Sequence, residues 1–333
     1  MTVKTPDPPT TAPPVARERT HRGGTALQVA SRYGLQLFLL VLVVALVATQ
    51  PNFRSLPNIQ SVLLQASFTG LAGAGMTILI VGGMFDLSVA GIVALVAVVT
   101  ASLVDTVGAG LAVVLALVLG TVLGILNGTI VTRLRFPAFI ATYGMANVYL
   151  AVAFIITGSQ VVGVSSPGLL ALATATVAGL PLLFWLMAST CAACYLLLQR
   201  TRFGRTIRAV GSSERAAVLA GLPVVRTRTA AFALVGLCTA LAALGLTSLL
   251  SSANASMSLG FELNVIAVAV VGGTSLDGGR GTLFGTFTAA ILFAALNNGL
   301  NLVGVAPYWQ YIVTGAVLVL ALAFAGLRRG SRT

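Results

Sequence analysis

Seven carboxylates are spread through the 333 residues: Asp7, Glu18, Asp86, Asp105, Glu214, Glu262 and Asp277. They fall in the tails or at the ends of apolar runs, and no two are spaced as an acid–base pair. His21 is the single histidine and lies in the Pro-rich leader, so no Ser-His-Asp set or histidine cluster can form within the apolar segments. Cys191, Cys194 and Cys238 all sit inside apolar runs. The CxxC spacing of Cys191 and Cys194 has no companion pair, and it reads as buried spectator thiols rather than a redox or metal site. Ionisable residues within a membrane are functional suspects, and their scarcity here argues against a carboxylate proton relay, an intramembrane hydrolase and a metalloenzyme. Any uphill transport would have to be driven from outside this chain.

Four other segments carry polar residues in unusual patterns. In GMTILIVGGMFDLSVAGIVAL (75–95), Gly82 and Gly83 break an apolar run, and Asp86 and Ser88 precede the next. Asp86 reads as a helix cap, accepting free N–H groups and complementing the dipole. In residues 127–158, Asn127 leads to Arg133 and Arg135, which anchor a helix end. Pro137 opens the next helix, where a missing N–H costs nothing. Thr142, Tyr143 and Asn147 then enter that run, and either line a polar path or bridge helices. The third segment, residues 196–230, holds Arg200, Arg202, Arg205, Arg208, Arg215, Arg226 and Arg228 with a single acid, Glu214. From Ser212, SSERAAVLAGLP reads as an N-cap serine, a short helix over SERAAVLA, a helix-ending Gly221 and then Pro223. Such a helix suits lipid headgroups and a protein groove equally. In the fourth, residues 262–286, Gly272, Gly273, Gly278, Gly279 and Gly281 make a turn holding Asp277 and Arg280. Its Gly-Gly-x-x-x-Asp echoes the Gly82–Asp86 segment and hints at an internal repeat. No GK[ST] follows, so it is not a nucleotide-binding loop.

The elements that must hold these segments are membrane helices. Hydrophobic residues make up 57% of the chain and charged residues 8%, against about 25% charged in soluble domains. The mean hydropathy is +1.01. Runs of the roughly 20 residues needed to span a bilayer are expected near 33–49, 58–81, 87–104, 109–131, 137–157, 178–199, 229–250, 262–274, 282–303 and 308–326. Lipid demands that backbone satisfy itself, so all are expected to be helical. The eighth is short, and spans only by recruiting the polar SSANASMSLG before it. With the N-terminus inside and ten crossings, every basic residue except Arg54 falls on the cytoplasmic side, as the positive-inside rule requires. The expected fold is an all-α polytopic bundle with both termini cytoplasmic. It comprises a disordered Pro-rich tail (1–32), a transmembrane domain (33–327) with a cytoplasmic loop at about 200–228, and a basic tail (328–333). Gly120, Gly124 and Gly128 form a face for close helix approach. The net charge of +12 sits at segment boundaries without an aromatic-interleaved basic face, which argues against nucleic acid.

In this order and spacing, GMTILIVGGMFDLSVAG, NGTIVTRLRFPAFIATYGMANVY, TRFGRTIRAVGSSERAAVLAGLPV and ELNVIAVAVVGGTSLDGGRGTLFGT resemble the permease subunits of ABC importers for ribose, xylose and galactose. The likeness covers about residues 34–326, and departs from the family's usual residues at Ala90, Ser213 and Arg215. It implies a multi-pass protein of the bacterial plasma membrane that is not itself an enzyme and holds no cofactor. ATP and Mg would be bound by a cytoplasmic ABC ATPase. The other implied partners are an extracytoplasmic sugar-binding protein, a second permease subunit (identical or different) and membrane lipid. The resemblance makes Ser212 to Gly221 the coupling helix that docks on the ATPase, with Arg205, Gly211, Glu214, Ala216, Ala217 and Gly221 at matching positions. Gly82, Gly83, Asp86, Ser88, Gly272, Gly273, Asp277, Gly279 and Arg280 become motif turns. Asn127, Thr142, Tyr143 and Asn147 become candidates for the path. Branched-chain amino acid or nucleoside permeases of the wider superfamily, and an ATP-independent channel, are the alternative expectations.

Overall fold

The computed structural model describes residues 43–306 continuously, with positions 37, 40, 41, 308, 309, 312, 315, 316 and 319 in addition. The expected tails at 1–32 and 328–333, and most of the last expected span, lie outside the described residues.

After a 3-10 turn at Pro51–Arg54, the chain forms α1 (Leu56–Val81), α2 (Val89–Val107), α3 (Ala109–Arg133), α4 (Ala138–Thr157), α5 (Pro167–Thr174), α6 (Leu182–Arg200), α7 (Arg202–Ser212), α8 (Glu214–Leu219), α9 (Val224–Leu250), α10 (Phe261–Val271) and α11 (Leu283–Leu302). Seven of the described helices, α1 to α4, α6, α9 and α11, are long and apolar enough to cross a membrane. The bundle is built around α1, 83% buried over its most apolar stretch, while α4 on the periphery is only 22% buried over the same length. Peripheral helices face outward with Ile140, Ile155 and Val118, as lipid-facing surfaces do.

The small-residue face of α3 does what its spacing predicts. Gly120 lies against Gly236 and Ala240, Gly124 against the Phe232 carbonyl, and Gly128 against Thr229, all on α9. A side chain at Gly124 would occupy the space of the α9 backbone.

The helix ends sort into two poles. Arg133 ends α3, Arg200 ends α6, and α7, α8 and the start of α9 complete the basic pole. At the opposite pole four two-residue strands lie between the helices. β1 (Val162–Gly163) pairs antiparallel with β4 (Ser252–Ala253), and β2 (Thr176–Val177) with β3 (Leu180–Pro181). Gln60 Nε2 donates to the Gly179 carbonyl there at 2.9 Å, and Ser165 N–H to Asp105 at 3.4 Å.

Two expectations are corrected. The segment expected as a helix at 262–274 is an 11-residue helix ending at Val271. At about 1.5 Å per residue it covers only about half the 30 Å hydrocarbon layer. The chain before it, from Ser251 to Gly260, is non-helical and holds the short strand β4; it is pinned to the bundle at buried Ser258, whose Oγ donates to the Ala90 carbonyl at 2.8 Å. Non-helical backbone survives at that depth only when buried in protein or facing water. Within the expected loop at 200–228, where a helix was expected only over SERAAVLA, a further helix, α7, precedes it, because Thr201 caps it through its Oγ1 and the Gly204 N–H. That helix buries Gly204, Ile207 and Val210 and exposes Arg202 and Arg205.

Candidate functional site

At the basic pole the four polar segments meet. Two of them end helices in the same way. Gly82 and Gly83 close α1 with Gly82 N–H on Ile78, Gly83 N–H on Ile80 and Met84 N–H on Leu79. Gly272, Gly273 and Thr274 repeat the pattern on Val268, Val270 and Ala269 at the end of α10. Gly83 has φ +76° and Gly273 φ +93°, the left-handed region that glycine enters without steric cost. This matched geometry is the structural counterpart of the echo in the sequence. Beyond the caps the turns diverge: Asp86 is fully buried, whereas Asp277 is exposed.

The turns and the end of α7 interlock without side chains between them. Gly279 N–H donates to the Val81 carbonyl at 2.8 Å. Gly211 lies on the Val81 carbonyl and the Gly279 amide, and a β-carbon there has no room. Ser212 is the last residue of α7 and touches Gly279. It is not the cap of the next helix as expected. Ser213 is that cap, its Oγ accepting the Ala216 N–H at 3.2 Å, because Ser212 still has helical backbone. The cap produces α8, which buries Ala217 against Val210 and Val224 and stops at Gly221 with φ +70°. Ala216 faces solvent, as does Arg205 on α7. Arg280 is also exposed, and its carbonyl accepts Ser275 N–H across the turn. Glu214, in the first turn of α8, accepts from Arg228 Nη1 at 2.7 Å.

Behind the first turn lies a buried polar chain. Asp86 Oδ1 accepts the Ser88 N–H at 2.8 Å and the Ser88 hydroxyl at 2.6 Å; it is not the helix cap expected, because Ser88 is the N-cap residue of α2 and Asp86 reaches no N–H inside the helix. Asn127 Nδ2 donates to Ser88 Oγ at 2.6 Å, and Tyr149 OH donates to Asn127 Oδ1 at 2.8 Å. Thr142 Oγ1 accepts the Leu87 N–H at 3.0 Å. A buried charge with no counter-ion is costly unless hydrogen bonds replace water. Only Oδ1 is provided for, and Asp86 Oδ2 has no partner. The candidate path residues therefore divide. Asn127 and Thr142 belong to this network, while Tyr143 and Asn147 face outward from α4. Tyr149 and Arg228 were not singled out for a role in the site from sequence. Tyr149 was legible as sharing a helix face with Thr142, seven residues earlier. The burial of Arg228 among seven similar arginines had no sequence signal.

The arrangement is a joint of four chain segments, and no cluster of three or more His, Cys, Asp or Glu side chains that could hold a metal occurs among the described residues. The model of the family described as branched-chain amino acid transport system / permease component matches residues 58–322. The chain belongs to this family. Among its relatives, the permease is 36% identical over 309 residues to the ribose import permease protein RbsC of Bacillus subtilis, covering 92% of this chain and 95% of that one. It is 37% identical to RbsC of Escherichia coli over 302 residues, covering 86% and 91%. Its match to the L-arabinose transport system permease protein AraH of Escherichia coli is 36% identical over 195 residues, and spans 59% of this chain and 60% of that relative. No solved structure matches it. The permease is thus a multi-pass membrane protein and a component of a transport system.

Proposed function

We propose that this permease is the membrane-spanning subunit of an ATP-driven importer for a monosaccharide of the ribose or arabinose type, in the bacterial plasma membrane. ATP and Mg are used by a separate cytoplasmic ATPase, and an extracytoplasmic binding protein delivers the sugar. The relatives named for ribose and arabinose support the substrate class. The family's own description keeps branched-chain amino acids as the second reading. The ligand retained by the partner binding protein separates the two.

The observation that carries the coupling role is the tip of α8. Val218 is 58% exposed and Leu219 82%, beside exposed Arg215 and at the basic pole. Exposed aliphatic groups at the centre of a polar rim fit a protein groove better than bulk water. Ser212 to Gly221 is the segment that docks on the ATPase. Leu219→Asp is expected to abolish copurification of the ATPase and sugar uptake while leaving the melting temperature of the detergent-solubilised permease unchanged. Retained ATPase association defeats the reading.

Ten crossings follow if the seven described spans, the half-helical passage through α10 and the apolar runs at 33–49 and 308–326 all cross. The basic pole is then cytoplasmic with both termini. Tyr143 and Asn147 lie one turn apart on the outward face of α4, with Asn147 Nδ2 bonded to the Tyr143 carbonyl. A polar side chain is unfavourable against hydrocarbon. Its position supports a second permease subunit on this face, with the sugar path running between the two copies.

A further inference from the structure

Among the described residues, two charged side chains are buried: Asp86 and Arg228. The topology has no use for a buried arginine. Arg202, Arg205, Arg215 and Arg226 stand exposed at the same pole and satisfy the positive-inside rule there. Arg228 is 7% exposed, in the second turn of α9, and a buried cation is expensive unless its partners are well placed. Its partners belong to two other elements. Nη1 donates to Glu214 at the start of α8, at 2.7 Å, and Nε donates to the Gly82 carbonyl at the end of α1, at 3.3 Å. The guanidinium is planar with its donors in fixed directions, so the two contacts cannot shift independently.

The two ends of this contact differ in how many neighbours hold them. The Glu214 side chain is 57% exposed, on a six-residue helix that packs through little more than Ala217. The Gly82 end leads into the turn 82–88, whose far side is tied to α3 and α4 by the Ser88–Asn127–Tyr149 chain and by Leu87 N–H on Thr142. A continuous line of contacts therefore runs from the proposed docking helix into the two peripheral helices α3 and α4. We propose that Arg228 is the strut that carries the movement of helix 214–219 to the 82–88 turn, and through it to α3 and α4. This inference rests on the coupling role proposed above for α8. It adds a positioning residue that acts through Glu214 and Gly82 and does not touch substrate.

The test is a double-mutant cycle in the complete importer, reconstituted in liposomes with its ATPase and binding protein, reading sugar imported per ATP hydrolysed. Glu214→Gln and Arg228→Met are each expected to lower that ratio roughly 5- to 150-fold, the span of ordinary coupling energies, with the ATPase still bound in Arg228→Met, whose side chain is buried away from the docking face. The double variant is expected to lose no more than the worse single, because both remove the same strut. Additive losses, an unchanged ratio, or loss of the ATPase in Arg228→Met overturn the proposal. If Arg228→Met does not accumulate in the membrane, Arg228→Lys replaces it. It keeps the charge near Glu214 but loses the Nε–H to Gly82, so the ratio should still fall, and an unchanged ratio overturns the strut. The wild-type complex separates this inference from the functional reading. If it fails to import, both fall; if it is coupled and the variants match it, the strut alone falls.

Discussion

Asp86 shows how a residue's local role can be legible while its wider role is not. Its bond to the N–H of Ser88, the N-cap residue of α2, follows from its place two residues earlier, a contact the chain makes with itself. The continuation through Asn127 and Tyr149 joins residues 39 and 22 positions apart in sequence, and no local pattern reports that. Tyr149→Phe removes one hydroxyl and leaves the Asn127 oxygen unpaired. It should lower stability by about 1–3 kcal/mol, read as a reduced melting temperature of the solubilised permease. Asn127→Leu removes two bonds at once, leaving Ser88 Oγ only Asp86 and Tyr149 OH only the longer contact to the Leu123 carbonyl, and should cost more. If the two variants melt together, the chain does not behave as a network. At Ser213, loss of the cap in Ser213→Ala should cost the short α8 about 1 kcal/mol, measurable as faster amide exchange over 214–219 with the rest of the bundle unaffected.

At the scale of elements, close approach decides the packing. The α3 glycines were readable as a face because they recur every four residues, which places them in line on a helix. Which helix they meet was not readable, since any small-residue face could have answered. In the structure α9 meets them with Gly236, whose own missing side chain lets the Gly120 carbonyl approach. Gly124→Leu should therefore push α3 from α9 and sharply lower the folded yield, at a cost of roughly 1–3 kcal/mol or more. Gly110→Ala, in the same helix with nothing within 4 Å, should leave yield and melting temperature unchanged. The corrected element, α10, illustrates the opposite limit. Its short apolar run was visible, but not that the chain before it would be held to the bundle by buried Ala253, Ala255 and Ser258 while Ser251, Ser256 and Leu259 stay exposed.

The molecule as a whole is polarised. Arginines gather at one pole, and the short strands and Asp105 at the other, where Arg54 is the described basic residue. The proposed orientation predicts that Ser166→Cys reacts with a membrane-impermeant thiol reagent added to intact cells, and that Ser212→Cys reacts only after the cells are opened. The three native cysteines are buried and should give little background. Labelling of Ser212→Cys from outside would invert the orientation.

The sequence alone determined that the chain is a helical membrane protein, where most of its helices run, that its basic loops share a side, and where the four motif segments lie. Those properties are additive along the chain: hydropathy, charge and the conformational freedom of glycine act within one helix or one turn. The tertiary structure alone decided that the four segments form one joint, and that Arg228, of seven similar arginines, is the one buried. It also decided that Thr142 and Asn127 turn inward while Tyr143 and Asn147 turn out. Such outcomes depend on contacts such as Arg228 to Gly82, 146 residues apart, or Thr77 to Thr286, 209 apart. The chemistry of each partner is written locally, but their meeting is fixed only when the helices pack.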